Sequence, residues 1–310
     1  MDVLQATDLR KSYRSGKQVV EAVQGVTLTC RAGEVVAFLG ANGAGKTTTL
    51  KMLTGLIRPD SGTVRVCGGD PHADSRVLER IGAVLEGNRN TYWTLSVQEN
   101  FEYFGVLRGL TRAEVRRRAP ALLEEFGLGE KRDVQVQRLS RGMQQKLAIA
   151  LAVLPAPQLL LLDEPTLGLD VQATLDMQSL VRSLVGRGCA VLLTTHQLDV
   201  AQKLSDRVVI MRRGQVVTEQ STRDLLRAYS GSGFELRFEG PLSDAQRAAL
   251  RGLGVEELEP GRASYFGPGA LLYEVLDTLR PLELRAVTPS EVDLADVFLR
   301  VNREAEVAYA

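Results

Sequence analysis

The sequence predicts an α/β fold, a mostly parallel sheet covered by helices on both faces, followed by a small α+β domain. Three observations predict it. The short runs at residues 35–39, 159–162 and 190–195 are apolar without alternation, as strands buried on both faces are. Segments of helical spacing alternate with these runs, the pattern of parallel strands joined by crossover helices. Residues 40–48 read Gly-Ala-Asn-Gly-Ala-Gly-Lys-Thr-Thr, a glycine-rich turn lying between strand and helix.

In chain order, residues 3–9 and 19–30 are rich in β-branched residues with partial alternation and read as strands of a smaller antiparallel sheet. Tyr13 falls between them, in the polar turn 11–17. Strand 35–39, the glycine-rich turn and a helix over 48–55 follow, then a turn at 58–62, a strand at 63–67 and a short strand at 81–85 that runs into Glu86. Residues 96–107 and 111–126 carry apolar positions three and four apart and form an all-helical insertion. A strong helix opens at Leu139-Ser140-Arg141-Gly142-Met143 and runs to about 153. Strand 159–162 ends abruptly in Asp163-Glu164. Helix 171–185, strand 190–195 with His196 behind it, strands 208–211 and 215–218 and helix 222–229 close the first domain, residues 1–229.

Ser230-Gly231-Ser232-Gly233 reads as a short linker opening a second domain, residues 230–310. Beyond it come strand 234–238, helix 243–253, strands 255–258 and 263–266, helix 269–279 and strand 282–287. That β-α-β-β-α-β order is the split-βαβ, ferredoxin-like arrangement. A last helix, 290–302, carries Val292, Leu294, Val297, Phe298 and Val301 on an apolar stripe. Repeats and low-complexity tracts are absent from the sequence.

With 310 residues, 44% of them hydrophobic, the chain has ample material for one large core and a small one. Its formal net charge is zero, so bulk electrostatics argue against a nucleic-acid partner. The run Arg116–Arg118 is flanked by Glu114, Glu124 and Glu125 and reads as a solvated helix face. Cys30, Cys67 and Cys189 are odd in number and widely spaced, which argues for a reducing compartment and against a disulfide frame or zinc site. With only His72 and His196, a histidine-based metal centre is disfavoured as well. The N-terminus lacks a signal-peptide core, and the longest apolar stretch, 147–162, is broken by Pro155, Pro157 and Gln158. Any work at a membrane is therefore expected from the cytoplasmic side, through a partner.

Residues 40–48 fit the P-loop spacing, with Gly40, Gly45, Lys46 and Thr47 at its fixed places and Ala41, Asn42, Gly43, Ala44 and Thr48 completing it. Its glycines let successive N–H groups curl inward, and the helix N-terminus adds partial positive charge. Lys46 supplies a mobile cation for outer phosphates, and the Thr47 hydroxyl can ligate magnesium. This stretch predicts binding of a nucleoside triphosphate. An apolar strand ending in two acids is the second half of such a site: Asp163 would hold magnesium through its water shell, and Glu164, one residue further out, could polarise a water attacking the terminal phosphate.

Together these motifs resemble the nucleotide-binding subunit of an ATP-binding-cassette (ABC) transporter, over residues 1–229 and in that family's order. The resemblance implies a cassette with an antiparallel β subdomain and a helical insertion, ATP and Mg2+ as cofactors, and a Mg-dependent ATPase. Ser140 and Gly142 match the family signature, which reaches the ATP held by a second copy, so that ATP joins two subunits face to face. Arg141 for a glycine and Met143 for a glutamine depart from that signature, yet the hydroxyl and the helix terminus remain. His196 matches the switch histidine that bonds the terminal phosphate. Asp170 matches the loop passing between subunits and is also a natural N-cap. Tyr13 matches the aromatic residue that stacks on adenine. Glu86 stands where the family usually has a glutamine that reaches the magnesium water. A carboxylate there would serve as a metal-side sensor or leave the contact to Asn88 or Asn90. The tract 88–93 and the C-terminal extension resemble bacterial and archaeal drug, lipid or polysaccharide exporters.

The expected activity is ATP hydrolysis that energises a separate membrane permease. A P-loop kinase would have no use for the signature helix and switch histidine. A soluble ABC-type ATPase of DNA repair would need a long coiled coil between the motifs, where residues 48–138 hold an ordinary helical insertion, and translation factors of this class carry two cassettes. A regulatory module in which the second domain binds a ligand is the remaining alternative. Cargo contacts would lie in the permease.

Overall fold

The computed structural model describes residues 1–15, 18–85, 90–230, 233–289 and 293–308. It divides into two units, Met1–Ser221 and Thr222–Ala310.

In the first unit, β1 (Asp2–Ser15) and β2 (Gln18–Arg31) form a long antiparallel pair. Tyr13 lies on β1 opposite Val20, not in the turn its polar neighbours suggest. Asp60 explains why: it takes an ion pair from Lys11 at 2.6 Å and the Ser12 N–H at 2.7 Å, so polar residues that read as a loop are held extended. The five residues of β3 (Val35–Leu39) are all buried. Helix α1 (Lys46–Leu53) follows, and β4 (Ser61–Val66) pairs with the free edge of β1 to give the sheet order β2-β1-β4.

The main sheet takes β5 (Ile81–Val84), β6 (Leu159–Asp163), β7 (Ala190–Thr194), β8 (Arg207–Arg212) and β9 (Gln215–Ser221), in the order β5-β6-β7-β3-β8-β9. All neighbours are parallel except the β8–β9 hairpin. That hairpin closes through Arg213 and Gly214, both at positive φ, the backbone of a type I′ turn. Between β5 and β6 lie α2 (Val97–Leu107), α3 (Arg112–Glu125) and α4 (Arg141–Val153). Capping boxes start the first two, Ser96 with Glu99 and Thr111 with Glu114. Buried Asn100 anchors the preceding tract to α2, bonding both the N–H and the carbonyl of Tyr92. Helices α5 (Val171–Gly186) and α6 (Leu198–Leu204) complete the unit. The three cysteines are free. Burial pushes the Cys30 thiol up to about 12 and that of Cys189 to about 11, so both stay protonated and inert.

The second unit comprises α7 (Thr222–Ser230), β10 (Gly233–Glu239), α8 (Asp244–Gly252), β11 (Val255–Glu259), β12 (Arg262–Phe266), α9 (Leu272–Leu279), β13 (Glu283–Pro289) and α10 (Leu294–Ala308). Strand order is β11-β12-β10-β13, every neighbour antiparallel. Leu236, Phe238, Leu250, Ala263, Tyr265 and Val275 form its core. Between them on β10 and β12 stand Glu235, Arg237 and Arg262, whose ion pairs hold the Glu235 carboxyl down to about 2. Helix α7, which the sequence groups with the first domain, belongs here because it packs on α10, where Arg300 lies over the Tyr229 ring. Residues 231 and 232 of the expected linker fall outside the described residues.

One guanidinium ties the two sheets of the first unit together. Arg207 on β8 pairs with Glu34 through Nε and Nη2, at 2.9 and 3.1 Å, bonds the β2 carbonyl of Thr29 at 2.7 Å and pairs with Glu219 on β9. Burial opposes the Glu34 charge, but the Arg207 bonds outweigh it and hold the carboxyl below its ordinary value of 4.5. A carboxyl lowered by folding contributes stability above its unfolded value, and that contribution disappears as pH falls through the folded one. Glu34→Gln is therefore expected to unfold at lower urea than wild type at neutral pH, with the gap closing as pH falls below 4.5. A gap that ignores pH would assign the loss to packing.

Candidate active site

The carboxyl ends of β3, β7 and β6 stand level, with Phe38 opposite Thr194 and Thr194 opposite Asp163. In an open parallel sheet the crevice beyond such ends is where ligands bind. Residues 40–45 leave β3 there, and α1 begins at Lys46, two residues earlier than the sequence suggests, so its first N–H groups belong to the glycine-rich motif itself. Gly43 and Gly45 take φ of 79° and 103°. A Cβ on Gly45 would fall 2.2 Å from the Ala22 carbonyl, and one on Gly40 2.4 Å from that of Met211, so the loop is seated directly on two strands. Backbone bonds complete the seat: Gly214 N–H donates to Ala44 O at 3.0 Å, and Gln24 N–H donates to Gly214 O at 2.7 Å. Ala41, Asn42 and Gly43 remain exposed at the rim, while Thr48 is half-buried.

Lys46 is only 8% exposed, and its Nζ donates to Gly40 O at 2.6 Å and Ala41 O at 3.2 Å. Next to it, Thr47 Oγ1 donates to Asp163 Oδ2 at 3.1 Å, across 116 residues of sequence. Asp163 is buried, and its other oxygen accepts from Thr194 Oγ1 at 2.5 Å. Glu164 takes a left-handed φ of 52°, and its N–H reaches Thr194 twice, the hydroxyl at 3.2 Å and the carbonyl at 3.1 Å. The Glu164 carboxylate meets His196 through Nδ1 at 3.0 Å and the backbone N–H at 3.3 Å. Its side chain is 12% exposed while that of His196 is 54% exposed, so the pair faces outward from a buried base. The structure thus brings together residues 40–47, Asp163, Glu164 and His196. Sequence reasoning missed Thr194, which looks like one more β-branched strand residue. Only its register opposite Asp163 gives it away.

The other expected residues lie on other elements. Tyr13 is on the second sheet, 39% exposed, with Lys11 Nζ 6.0 Å from its ring. Ser140 caps α4, accepting the Met143 N–H at 3.3 Å. Asp170 caps α5, accepting the Ala173 N–H at 2.7 Å. Gly142 packs against that helix, where a Cβ would lie 3.0 Å from Ala173 Cβ, and Arg141 Nη1 lies against Gly168 of the loop before it. Among the described residues, no hydrogen bond or ion pair joins Ser140, Gly142 or Asp170 to the phosphate loop or the acid pair. Glu86 and Asn88 lie outside the described residues, and Asn90 donates to Leu85 O at 2.9 Å.

Residues 23–167 match the family model described as ABC transporter. A daunorubicin/doxorubicin resistance ATP-binding protein of Streptomyces peucetius is 39% identical over 236 residues, 76% of this chain and 72% of that protein. The chain belongs to the ABC transporter family. A Nod factor export ATP-binding protein I of Paraburkholderia xenovorans is 35% identical over 302 residues, 95% of each chain, so that likeness runs through both units. Among solved structures, an ATP-binding subunit of an ABC transporter is 32% identical with a TM-score of 0.65, covering 73% of this chain and 93% of that one. A dimeric cassette in a post-hydrolysis state, bound to ADP and Pi, is 27% identical with a TM-score of 0.64, covering 71% and 99%. The cassette is accordingly an ATP-binding, ATP-hydrolysing transporter subunit with the fold of that family. No helix among the described residues is long and apolar enough to cross a membrane.

The seat of the loop leads to a direct expectation. Gly45→Ala forces a Cβ into the Ala22 carbonyl at a left-handed φ, which shifts the loop off β2. Calorimetry should show a lower Tm and titration with ATP a weakened affinity. An alanine variant with wild-type affinity would mean that the loop does not need this seat.

Proposed function

We propose that this chain hydrolyses ATP with magnesium, as one half of a dimer of two copies, and so drives export through a separate membrane-spanning permease. The observation that carries the reading is the convergence of a P-loop, a buried aspartate and a histidine-braced glutamate at one sheet edge. The export named for the Nod factor relative supports the direction of transport, and the dimeric post-hydrolysis cassette supports the two-copy assembly.

Lys46 and the N–H groups of residues 41–48 bind the phosphates, Lys46 exchanging its carbonyl partners for phosphate oxygens. The donors at the acid pair fit magnesium: Thr47 Oγ1 and Asp163 Oδ2 are hard oxygens in contact, and among the described residues no group of three or more His, Cys, Asp and Glu offers a rival metal site. Thr47 and Asp163 would hold the ion, which supplies charge neutralisation on the outer phosphates when bound. Glu164 accepts a proton from the attacking water as its oxygen bonds the terminal phosphorus and the bond to the ADP oxygen breaks. His196 orients that carboxylate and reaches the terminal phosphate from its exposed side. Tyr13 stacks on the adenine. Ser140 and Gly142, joined by no hydrogen bond to their own phosphate loop among the described residues, serve the nucleotide on the second copy, and Asp170 lines the same face. Glu86 acts on the metal side where a glutamine is usual.

Exposed Tyr92, Trp93 and Tyr103, with Tyr92 and Tyr103 rings 4.7 Å apart, form an aromatic patch that suits a protein partner, here the permease. The chain would then work on the cytoplasmic face of the membrane.

Glu164→Gln is expected to bind ATP normally, to hydrolyse it about 10²–10⁴-fold more slowly and to elute as an ATP-dependent dimer in size-exclusion chromatography. Wild-type turnover in that variant would remove Glu164 as the base. Tagged Glu164→Gln, captured from detergent-solubilised membranes with ATP, should bring down a polytopic membrane protein. A soluble ATP-dependent dimer with no such companion would leave an ATPase without a transport role.

A further inference from the structure

The acid pair has a third member outside the recognised motifs. Thr194, the last residue of β7, is fully buried. Its hydroxyl has one proton to give, and gives it to Asp163 Oδ1 at 2.5 Å. It also accepts the Glu164 N–H at 3.2 Å, so a single oxygen touches both acids. Thr47 occupies the opposite carboxylate oxygen, Asp163 Oδ2, at 3.1 Å.

A carboxylate at the end of a strand turns easily, because the last torsion of aspartate is broad and roughly two-fold. Pinning one oxygen fixes the direction of the other. Thr194 is suited to this: it is stiff at χ1, sealed from solvent and level with Asp163 in the β6–β7 ladder. Its bond to the carboxylate is charge-assisted, among the stronger kinds of hydrogen bond. Glu164, for its part, holds a left-handed backbone that a residue with a Cβ disfavours, and its N–H is shared between the hydroxyl and carbonyl of Thr194.

We infer that Thr194 is a positioning residue, whose hydroxyl aims Asp163 Oδ2 toward the metal accompanying the nucleotide and steadies the turn that presents Glu164. The inference rests on the reading of Thr47 and Asp163 as the magnesium pair. Valine at 194 has nearly the same shape but no proton to give. It would leave Asp163 Oδ1 without this donor, while Glu164 N–H would keep the backbone carbonyl. The loss therefore falls first on the metal and second on turnover.

The test measures affinity for a non-hydrolysable ATP analogue, with Mg2+ and with EDTA, in wild type, Thr194→Val and Thr194→Ser, alongside Tm and steady-state ATPase. Wild type should bind more tightly with Mg2+. Thr194→Val should lose most of that gain, about tenfold, with its EDTA affinity unchanged and a lower kcat at saturating nucleotide. Thr194→Ser should restore the gain. A Thr194→Val protein with a lowered Tm but the full Mg2+ gain would overturn the inference and leave Thr194 a packing residue. So would a serine variant as impaired as valine. Should valine prevent folding, Thr194→Ala takes its place in the same comparison. A wild type that binds the analogue with no Mg2+ gain would defeat the magnesium reading itself, and one that does not bind it would defeat the nucleotide site.

Discussion

Three parallel strands end level, and the site depends on it. Phe38, Thr194 and Asp163 share one rung across β3, β7 and β6. A slip of one residue in either pairing would turn every side chain of that strand to the opposite face. A slip between β6 and β7 would put Leu162 beside Thr194, and a slip in either pairing would part Thr47 from its carboxylate. These strands are buried along their whole length, so alternation of polar and apolar faces does not set their register. Bonds just ahead of the strands help to set it instead: Ala190 N–H to Gln158 O, and Val191 N–H to Glu34 O. The rungs are aligned at the entry, and the chemistry appears at the exit.

Burial separates the polar groups of the two units into different kinds. In the first, Asp163, Thr194 and Lys46 are nearly sealed, and each has partners fixed by backbone elements. An unmet charge there would be costly, so the partners are obligatory. In the second, Glu235, Arg237 and Arg262 form a comparable network at partly exposed positions of β10 and β12. There water competes for every charge and the pairs add little to stability. Similar pairings thus specify a site in one unit and decorate a surface in the other.

What the sequence made legible follows this division. Uninterrupted apolar runs announced the central strands, and the glycine-lysine-threonine spacing announced the loop between β3 and α1, both being signals contained in one short window. The capping of α5 by Asp170 was legible for the same reason. What escaped was non-local. The extension of β1 through Tyr13 depends on Asp60, 48 residues from Ser12. The place of α7 depends on α10 near the chain end. Thr194 acquires its partners only when two strands 31 residues apart come into register. A hydroxyl in an apolar run reads as a strand former until its neighbour across the ladder is known.

Arg207 carries one more consequence. Its guanidinium is held at once by the edge of the antiparallel sheet, by the turn entering β3 and by the terminal hairpin of the main sheet. Neither sheet can peel away without stripping partners from a mostly buried cation, so local opening of one is coupled to opening of the other. The first unit should melt as a single cooperative body. The strand bearing Tyr13 and the loop bearing Lys46 then share one rigid frame, and the distance between them is a property of the fold, not of the bound nucleotide.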